Sequence, residues 1–442
     1  MEYACALSGL VLVTANPALQ ARELKYVIEQ SGAIGLFLVE EFRGNPMGKI
    51  GREVSGEFQK MREVTDLCSA ALFAKGNIQS SLPKVSPSDA AMIQYTSGTT
   101  GFPKGAVLNH FGLVNNARYY ASRCGTTHET TWANIMPMFH TSGCGMITLG
   151  CLQAGCRMLL FSMFDPNTVL QQLQATHANI ILGVPTMVIA LLDQQEFCKY
   201  DLSSLKLVSC GGSTVAPDLV RRVHSIFSAG FSTVYGQTES CPVITQHHIG
   251  DSVDDICNTA GQPVPQTEVS IRSIDQNHSI KIGEIGEICT RGPCVMIEYN
   301  DNPSATAETV DAEGWLHTGD LGTMDSRGYV TVTGRVKEMI IRGGENHFPA
   351  EIENCLLEHP DVSEIAVVGL PDPKWGEVIG AFIRSPIPLN KAKLHDHCRA
   401  NMSPQKTPNI WVQIEEFPLT GSGKIQKFAL RDRFSGGGYE EL

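Results

Sequence analysis

Between Met92 and Tyr235 short β-type runs alternate with longer helical stretches, a pattern that few folds can accommodate. Strands are expected at Met92 to Tyr95, Arg157 to Phe161, Asn179 to Leu182, Leu205 to Ser209 and Thr233 to Tyr235. The helices between them have readable starts. Asp165 followed by Pro166 is an N-cap with proline at the first helical position, and Pro217 opens Asp218 to Phe227 in the same way. Strand and helix in alternation predict an α/β fold with a doubly wound sheet of buried parallel strands. After about Gly261 the texture changes to period-two runs split by Gly and Asp turns, at Thr267 to Ile271, Gly286 to Thr290 and Tyr329 to Thr333. A small, mostly β subdomain is expected there. Beyond Arg335 a new α+β unit begins, with strands at Met339 to Ile341, Ile365 to Leu370 and Val378 to Ile383 and a helix at Pro349 to Leu357. At 442 residues the chain exceeds what one core holds. The expected division is a large domain over 1–335, with 261–335 its β subdomain, and a small C-terminal domain over 336–442.

A formal charge of −12 repels nucleic acid, so no nucleic-acid partner is expected and any anionic substrate must be held by local cations. Lys104, Arg335 and Lys424 are the candidates. The 14 cysteines include no C-x-x-C pair, and His395 and His397 beside Cys398 lack a second ligand pair, so buried thiols in a reducing compartment are expected. Ala4 to Val13 is apolar, yet Glu2 stands where a signal peptide carries positive charge, and no run reaches the roughly 18 apolar residues of a membrane span. A cytoplasmic protein is expected, or a mitochondrial one if a transit peptide precedes Met1.

The strongest local signal is Tyr95-Thr96-Ser97-Gly98-Thr99-Thr100-Gly101-Phe102-Pro103-Lys104-Gly105, which follows one strand and precedes another at Ala106 to Leu108. Its glycines let the backbone turn tightly and offer N–H groups to an anion, its hydroxyls add donors, and Lys104 adds charge. This is a phosphate cradle by chemistry. It is not a Walker loop, because Lys104 is followed by Gly105 and no helix begins there.

Tyr95 to Gly105 resembles the signature loop of the adenylate-forming superfamily of acyl- and aryl-CoA synthetases. Four further segments agree in the family's order: Tyr235-Gly236-Gln237-Thr238-Glu239, Gly314 to Asp320, Gly334 to Ile341, and Pro418 to Lys424. The resemblance implies that Thr96, Ser97, Gly98, Thr99, Thr100, Gly101 and Lys104 bind the phosphates of ATP, and that Tyr235 and Gly236 lie against adenine. Gly211, Gly212 and Ser213 resemble the backbone strip beside that base. Gln237 belongs to the same nucleotide segment, Thr238 is implied to contact phosphate, and Glu239 to hold Mg²⁺. Asp320 and Arg335 resemble the pair on the ribose hydroxyls, and His140 the residue near the substrate carboxylate. Lys424 matches the catalytic lysine of a mobile C-terminal domain, Lys337 its hinge, and Gly343 and Gly344 the face expected along the path of CoA.

No protein nucleophile is needed for the implied chemistry, since a carboxylate ionised at pH 7 can attack the α-phosphate itself. Catalysis becomes positioning and charge neutralisation. Ser203 with Lys206 and Ser81 with Lys84 match S-x-x-K, but no S-D-N or K-T-G companion accompanies them and a serine acyl-enzyme is rejected. Arg342 to Glu353 looks like the CoA ligases rather than peptide-synthetase domains, with His347 in place of an aliphatic residue. The segments resemble most the medium-chain fatty acyl-CoA ligase group, with small-molecule acid, ATP and CoA as partners. A 4-coumarate type of aryl ligase is the alternative. Because family members carry a segment upstream of the position of Met1, a truncated nucleotide-binding relative without turnover is a second alternative. Ser142, Gly143, Met146, Cys241, Pro242 and Val243 are candidates for the acyl tunnel, Met146 and Val243 equally for plain core.

Overall fold

The computed structural model describes residues 1–69, 72, 81–96, 103–419 and 425–442. Ser97 to Gly101 and Lys424, expected in the phosphate cradle and at the catalytic turn, lie outside the described residues.

A seven-stranded sheet forms the centre. In spatial order its strands are Gln262–Pro263, Thr245–Gln246, Gly230–Tyr235, Leu207–Gly211, Ile180–Gly183, Thr131–Asn134 and Arg157–Leu160. The last five run parallel and the first two antiparallel. Both faces are dry, as the near-continuous apolar strands require. Ile181 and Val208 face helices Pro166–Thr176, Pro185–Cys198 and Pro217–Phe227 through Leu170, Leu191 and Val220. Ile180, Leu182 and Leu207 face the opposite way, into a core with Leu113 and Tyr120 of helix His110–Arg123. Asp165 caps its helix as expected, its Oδ1 accepting the Thr168 N–H at 2.8 Å. The expected α/β architecture is borne out.

Thr131–Asn134 is the strand expected ahead of His140, and all four of its residues are buried. Asn134 is buried and satisfied locally, donating to the Gly143 carbonyl at 3.2 Å and accepting from the Met136 N–H at 3.2 Å.

The strand expected at Met92 to Tyr95 does not join this sheet. Ala90–Thr96 instead belongs to a four-stranded sheet ordered Leu12–Thr14, Ala90–Thr96, Lys104–Asn109, Glu298–Tyr299. The reason is the length of the connection. Ala90–Thr96 and Lys104–Asn109 are separated by too few residues for a helical crossover, so they pair antiparallel. Met92, Ala106 and Leu108 press this sheet onto the core beneath the large one.

The β subdomain is an antiparallel sheet of Glu268–Arg272, Gly286–Arg291, Leu316–Met324 and Val330–Arg335. After it, Ile340–Arg342, Glu345–His347, Glu364–Asp372, Gly376–Arg384 and Ile410–Gln413 form a mixed sheet. Ile365 and Val367 point to helices Pro349–Leu357 and Lys391–Asn401, whereas Ala366 and Val368 point to Leu430 of helix Lys427–Ser435. No described helix is long and apolar enough to cross a membrane.

Candidate active site

Parallel α/β sheets place ligands at the carboxyl ends of their strands, and the motif residues gather there. Gly230–Tyr235 ends at Gly236, where a Cβ would come within 2.0 Å of the Pro242 carbonyl oxygen, so only glycine lets the chain turn back on itself. Gly211, at the end of the neighbouring strand, is confined in the same way by the Val234 oxygen, 2.2 Å from where its Cβ would lie. Gly212, with φ of +83°, and Ser213 follow as an exposed turn. Beyond Gly236 a short 3₁₀ turn, Thr238–Ser240, is closed by Ser240, whose Oγ donates to the Gln237 carbonyl at 2.8 Å.

This turn buries Glu239 among groups from three separate segments. Its Oε1 accepts from the Tyr299 hydroxyl at 2.7 Å and from the Thr96 hydroxyl at 3.5 Å. Among the described residues no hydrogen-bond donor reaches Oε2. Lys104 stands directly across the hairpin from Thr96, with its Nζ 4.8 Å from the centre of the Tyr299 ring. Burial, then the charge of Glu239, holds the Tyr299 hydroxyl well above the ordinary tyrosine range, so it remains a donor. Thr96, Lys104 and Glu239 are thus brought together at the two flanks of the glycine-rich segment.

A second cluster forms on the facing subdomain. Asp320 and Arg335 are cross-strand partners, and the Arg335 Nε donates to Asp320 Oδ1 at 2.8 Å. Tyr235 donates its hydroxyl to Oδ2 at 3.0 Å. The carboxylate is buried, and its charge raises Arg335 above the usual guanidinium value against the opposing effect of burial. Burial and the same carboxylate push the Tyr235 hydroxyl well up. The arrangement orients a carboxylate beside the end of the central sheet.

His140 follows the Thr131–Asn134 strand. Its Nδ1 lies 2.9 Å from the Ser142 hydroxyl and 3.1 Å from the Ser142 N–H. Ser142–Leu149 then runs as a fully buried π-helix, a form that concentrates at functional sites. Gly143 has no space beside it, since a Cβ would lie 2.4 Å from the Pro137 oxygen. Met146, Cys241 and Val243 belong to the buried core with Met92 and Tyr120.

The junction with the C-terminal part has anchors on both sides. Arg335 is tied to Asp320, while Glu338 accepts from Lys427 at 2.9 Å. Lys427 is partly buried between Glu338 and Glu353, 2.8 Å from the latter, and although burial lowers its proton affinity the two carboxylates outweigh that and raise it. Only Val336 and the exposed Lys337 lie between the anchors. Further on, Gly343 and Gly344 form a two-residue hairpin turn with φ of +61° and +86°. Against Gly343 lies Trp375, 42% exposed, with Arg342 and Lys374 over its ring at 5.6 and 5.0 Å.

The profile of AMP-binding enzymes matches residues 1–300, and that of the AMP-binding enzyme C-terminal domain matches 351–424. The chain belongs to the AMP-binding enzyme family. It is 33% identical to the mitochondrial medium-chain acyl-CoA ligase of Homo sapiens, over 98% of this chain and 76% of that protein. Feruloyl-CoA synthase of an Amycolatopsis species is 34% identical, over 98% of this chain and 85% of that one. Among solved structures, o-succinylbenzoate coenzyme A synthetase from Bacillus subtilis, in complex with ATP and magnesium ion, matches with a TM-score of 0.84 and 28% identity, over 98% of this chain and 86% of that one. The expected enzyme class, an AMP-forming acid–CoA ligase working through an adenylate, is borne out for this family member.

Several groups in the site of this AMP-binding enzyme were not anticipated from sequence. Tyr299 lies 60 residues after Glu239, on a two-residue strand with no periodicity to mark it. Trp375 was legible only as a lone aromatic in a Pro-Lys-Trp-Gly turn. Lys427 reads as an ordinary surface lysine until Glu338 and Glu353 are brought to it.

Proposed function

We propose that this AMP-binding enzyme joins a medium-chain fatty acid to CoA, using ATP and Mg²⁺. The observation that supports the choice of acid is the composition of the segments that follow His140 and Glu239: residues 141–149 and 240–244 contain neither a charged nor an aromatic side chain. Such segments offer no cation to a second carboxylate and no ring to stack on an aryl acid.

Thr96 and Lys104, with the glycine-rich segment between them, hold the phosphates, while Tyr235, Gly236 and the strip Gly211, Gly212, Ser213 flank adenine. Gln237 and Thr238 complete the nucleotide contacts. Asp320, oriented by Tyr235 and Arg335, accepts from the ribose hydroxyls. His140 stands near the carboxylate of the acid. That carboxylate attacks the α-phosphate and pyrophosphate leaves, with Lys104 and Lys424 opposing the charge that develops. In the second step the CoA sulfur attacks the acyl carbon, AMP departs, and the thiol proton passes to solvent. The exposed Trp375 face, between Arg342 and Lys374 and beside Gly343 and Gly344, suits the adenine and phosphates of CoA.

The buried Glu239 carboxylate fits a hard divalent cation, because it offers an oxygen ligand and leaves the remaining positions to water and phosphate. When bound, Mg²⁺ supplies charge neutralisation at the phosphates. Glu239→Gln keeps an acceptor for the Tyr299 and Thr96 hydroxyls, so folding is spared while the charge is lost. The expected result is a fall in kcat/KM of at least about tenfold at limiting Mg²⁺, partly restored by excess Mg²⁺. Unchanged activity at limiting Mg²⁺ would remove Glu239 from the metal site.

Acyl-dependent exchange of pyrophosphate into ATP tests the substrate reading. Octanoate should be used with a kcat/KM at least roughly tenfold above acetate and 4-coumarate, as each buried methylene contributes about 0.8 kcal/mol. A preference for acetate or the aromatic acid would refute the aliphatic reading, and no exchange with any acid would favour a binding protein without turnover.

A further inference from the structure

Outside the nucleotide site, the two central strands of the β subdomain carry a cluster of donors that the proposed reaction does not use. We propose that Glu287, Cys289 and His317 form a binding site for one borderline-soft divalent cation, of the Zn²⁺ class, which clamps Gly286–Arg291 to Leu316–Met324.

The three residue types come together for a topological reason. Glu287 and Cys289 share one face of their strand by its period of two, and Cys289 is the direct cross-strand partner of His317. One donor atom from each residue lies within 4.8 Å of the others. Cys289 Sγ stands 3.5 Å from His317 Nδ1. In a tetrahedral site with Zn–S of about 2.3 Å and Zn–N of about 2.0 Å, sulfur and nitrogen are separated by about 3.5 Å, so this pair needs no rearrangement. Glu287 Oε2 lies 2.7 Å from the same nitrogen, a hydrogen-bond distance that opens by roughly half an ångström when an ion takes the proton's place.

Glu287 and His317 are also held from behind, as metal ligands require. Glu287 Oε1 accepts the Gly319 N–H at 3.0 Å. His317 Nε2 lies 3.6 Å from Asp311 Oδ2. Asp311 is itself fixed by Asn277 Nδ2 at 3.0 Å and by the backbone N–H groups of Glu313 and Trp315, each at 2.9 Å. With its proton moved to Nε2, toward Asp311, the neutral imidazole presents Nδ1 as a ligand. Cys289 is fully buried, whereas the Glu287 and His317 side chains are 14% and 21% exposed, so an ion enters from their side. Burial pushes the Cys289 thiol up to about 12, and a bound cation reverses that by displacing the proton to solvent. A sulfur, a nitrogen and a single carboxylate favour Zn²⁺ over Mg²⁺ or Ca²⁺.

The test is a titration of the metal-stripped full-length chain with Co²⁺, read by thiolate-to-cobalt charge-transfer absorption and by equilibrium dialysis. One Co²⁺ per chain with that band is expected, displaced by Zn²⁺ and untouched by excess Mg²⁺, and Zn²⁺ should raise the unfolding midpoint. Cys289→Ser should abolish the band, His317→Gln should weaken Co²⁺ binding at least tenfold, and Cys398→Ser, another buried thiol, should leave both unchanged. Absence of the band in the folded parent, or a band that survives Cys289→Ser, overturns the proposal and leaves a hydrogen-bonded Glu–His–Asp chain beside an inert thiol. Should the serine variant not fold, undiminished Co²⁺ binding in His317→Gln overturns it equally.

Discussion

Lys424→Ala is expected to lose acyl-dependent pyrophosphate exchange by on the order of 10²- to 10³-fold, while thioester formation from supplied acyl-adenylate and CoA stays within a few-fold of the parent. Adenylation develops negative charge on the departing pyrophosphate and its neighbour, and a cation delivered there acts in the transition state alone. The thioester step expels AMP instead and has no such requirement for a second lysine. Leu419 and Ile425, the described residues on either side of 420–424, bridge one another. Shortly after them Lys427 is held by Glu338 and Glu353. The paired measurement is decisive because a variant that merely destabilised the fold would depress both half-reactions together. Equal losses would remove Lys424 from the adenylation chemistry.

Lys337→Pro is expected to produce the converse pattern, with pyrophosphate exchange retained far better than thioester formation. On the proposed reading both half-reactions use one nucleotide pocket, with the first drawing on Lys424 and the second on the face with Gly343, Gly344 and Trp375. We propose that the unit over 336–442 rotates against 1–335 between them. The anchors locate where that rotation is absorbed. Asp320 holds Arg335 on one side and Lys427 holds Glu338 on the other, so φ and ψ are left to change at Val336 and Lys337. Proline at 337 fixes φ near −65° and restricts Val336 as well. Lys337 is exposed, so its own side chain is not expected to matter, and Lys337→Ala should leave both steps near the parent rates. If the proline variant folded and slowed both steps equally, or neither, the two-arrangement reading would be abandoned.

By itself the sequence determined the parts that depend on neighbours along the chain. Strand and helix alternation, the Asp165 cap and the glycine-rich segment are encoded within a few residues, so periodicity and turn chemistry were enough to read them. The same holds for the motif order, which identified the family before any side chain was placed. Tertiary structure alone decided which strands pair and which distant groups meet. Ala90–Thr96 looked like another strand of the parallel sheet, but strand periodicity does not specify a partner, and the short link to Lys104–Asn109 put it in a second sheet. Tyr299 reaches Glu239, Tyr235 and Arg335 share Asp320, and Cys289 faces His317 only because strand register sets residues far apart in sequence side by side. Register is settled by burial across whole faces of the sheets, a property of the folded chain that no local window contains.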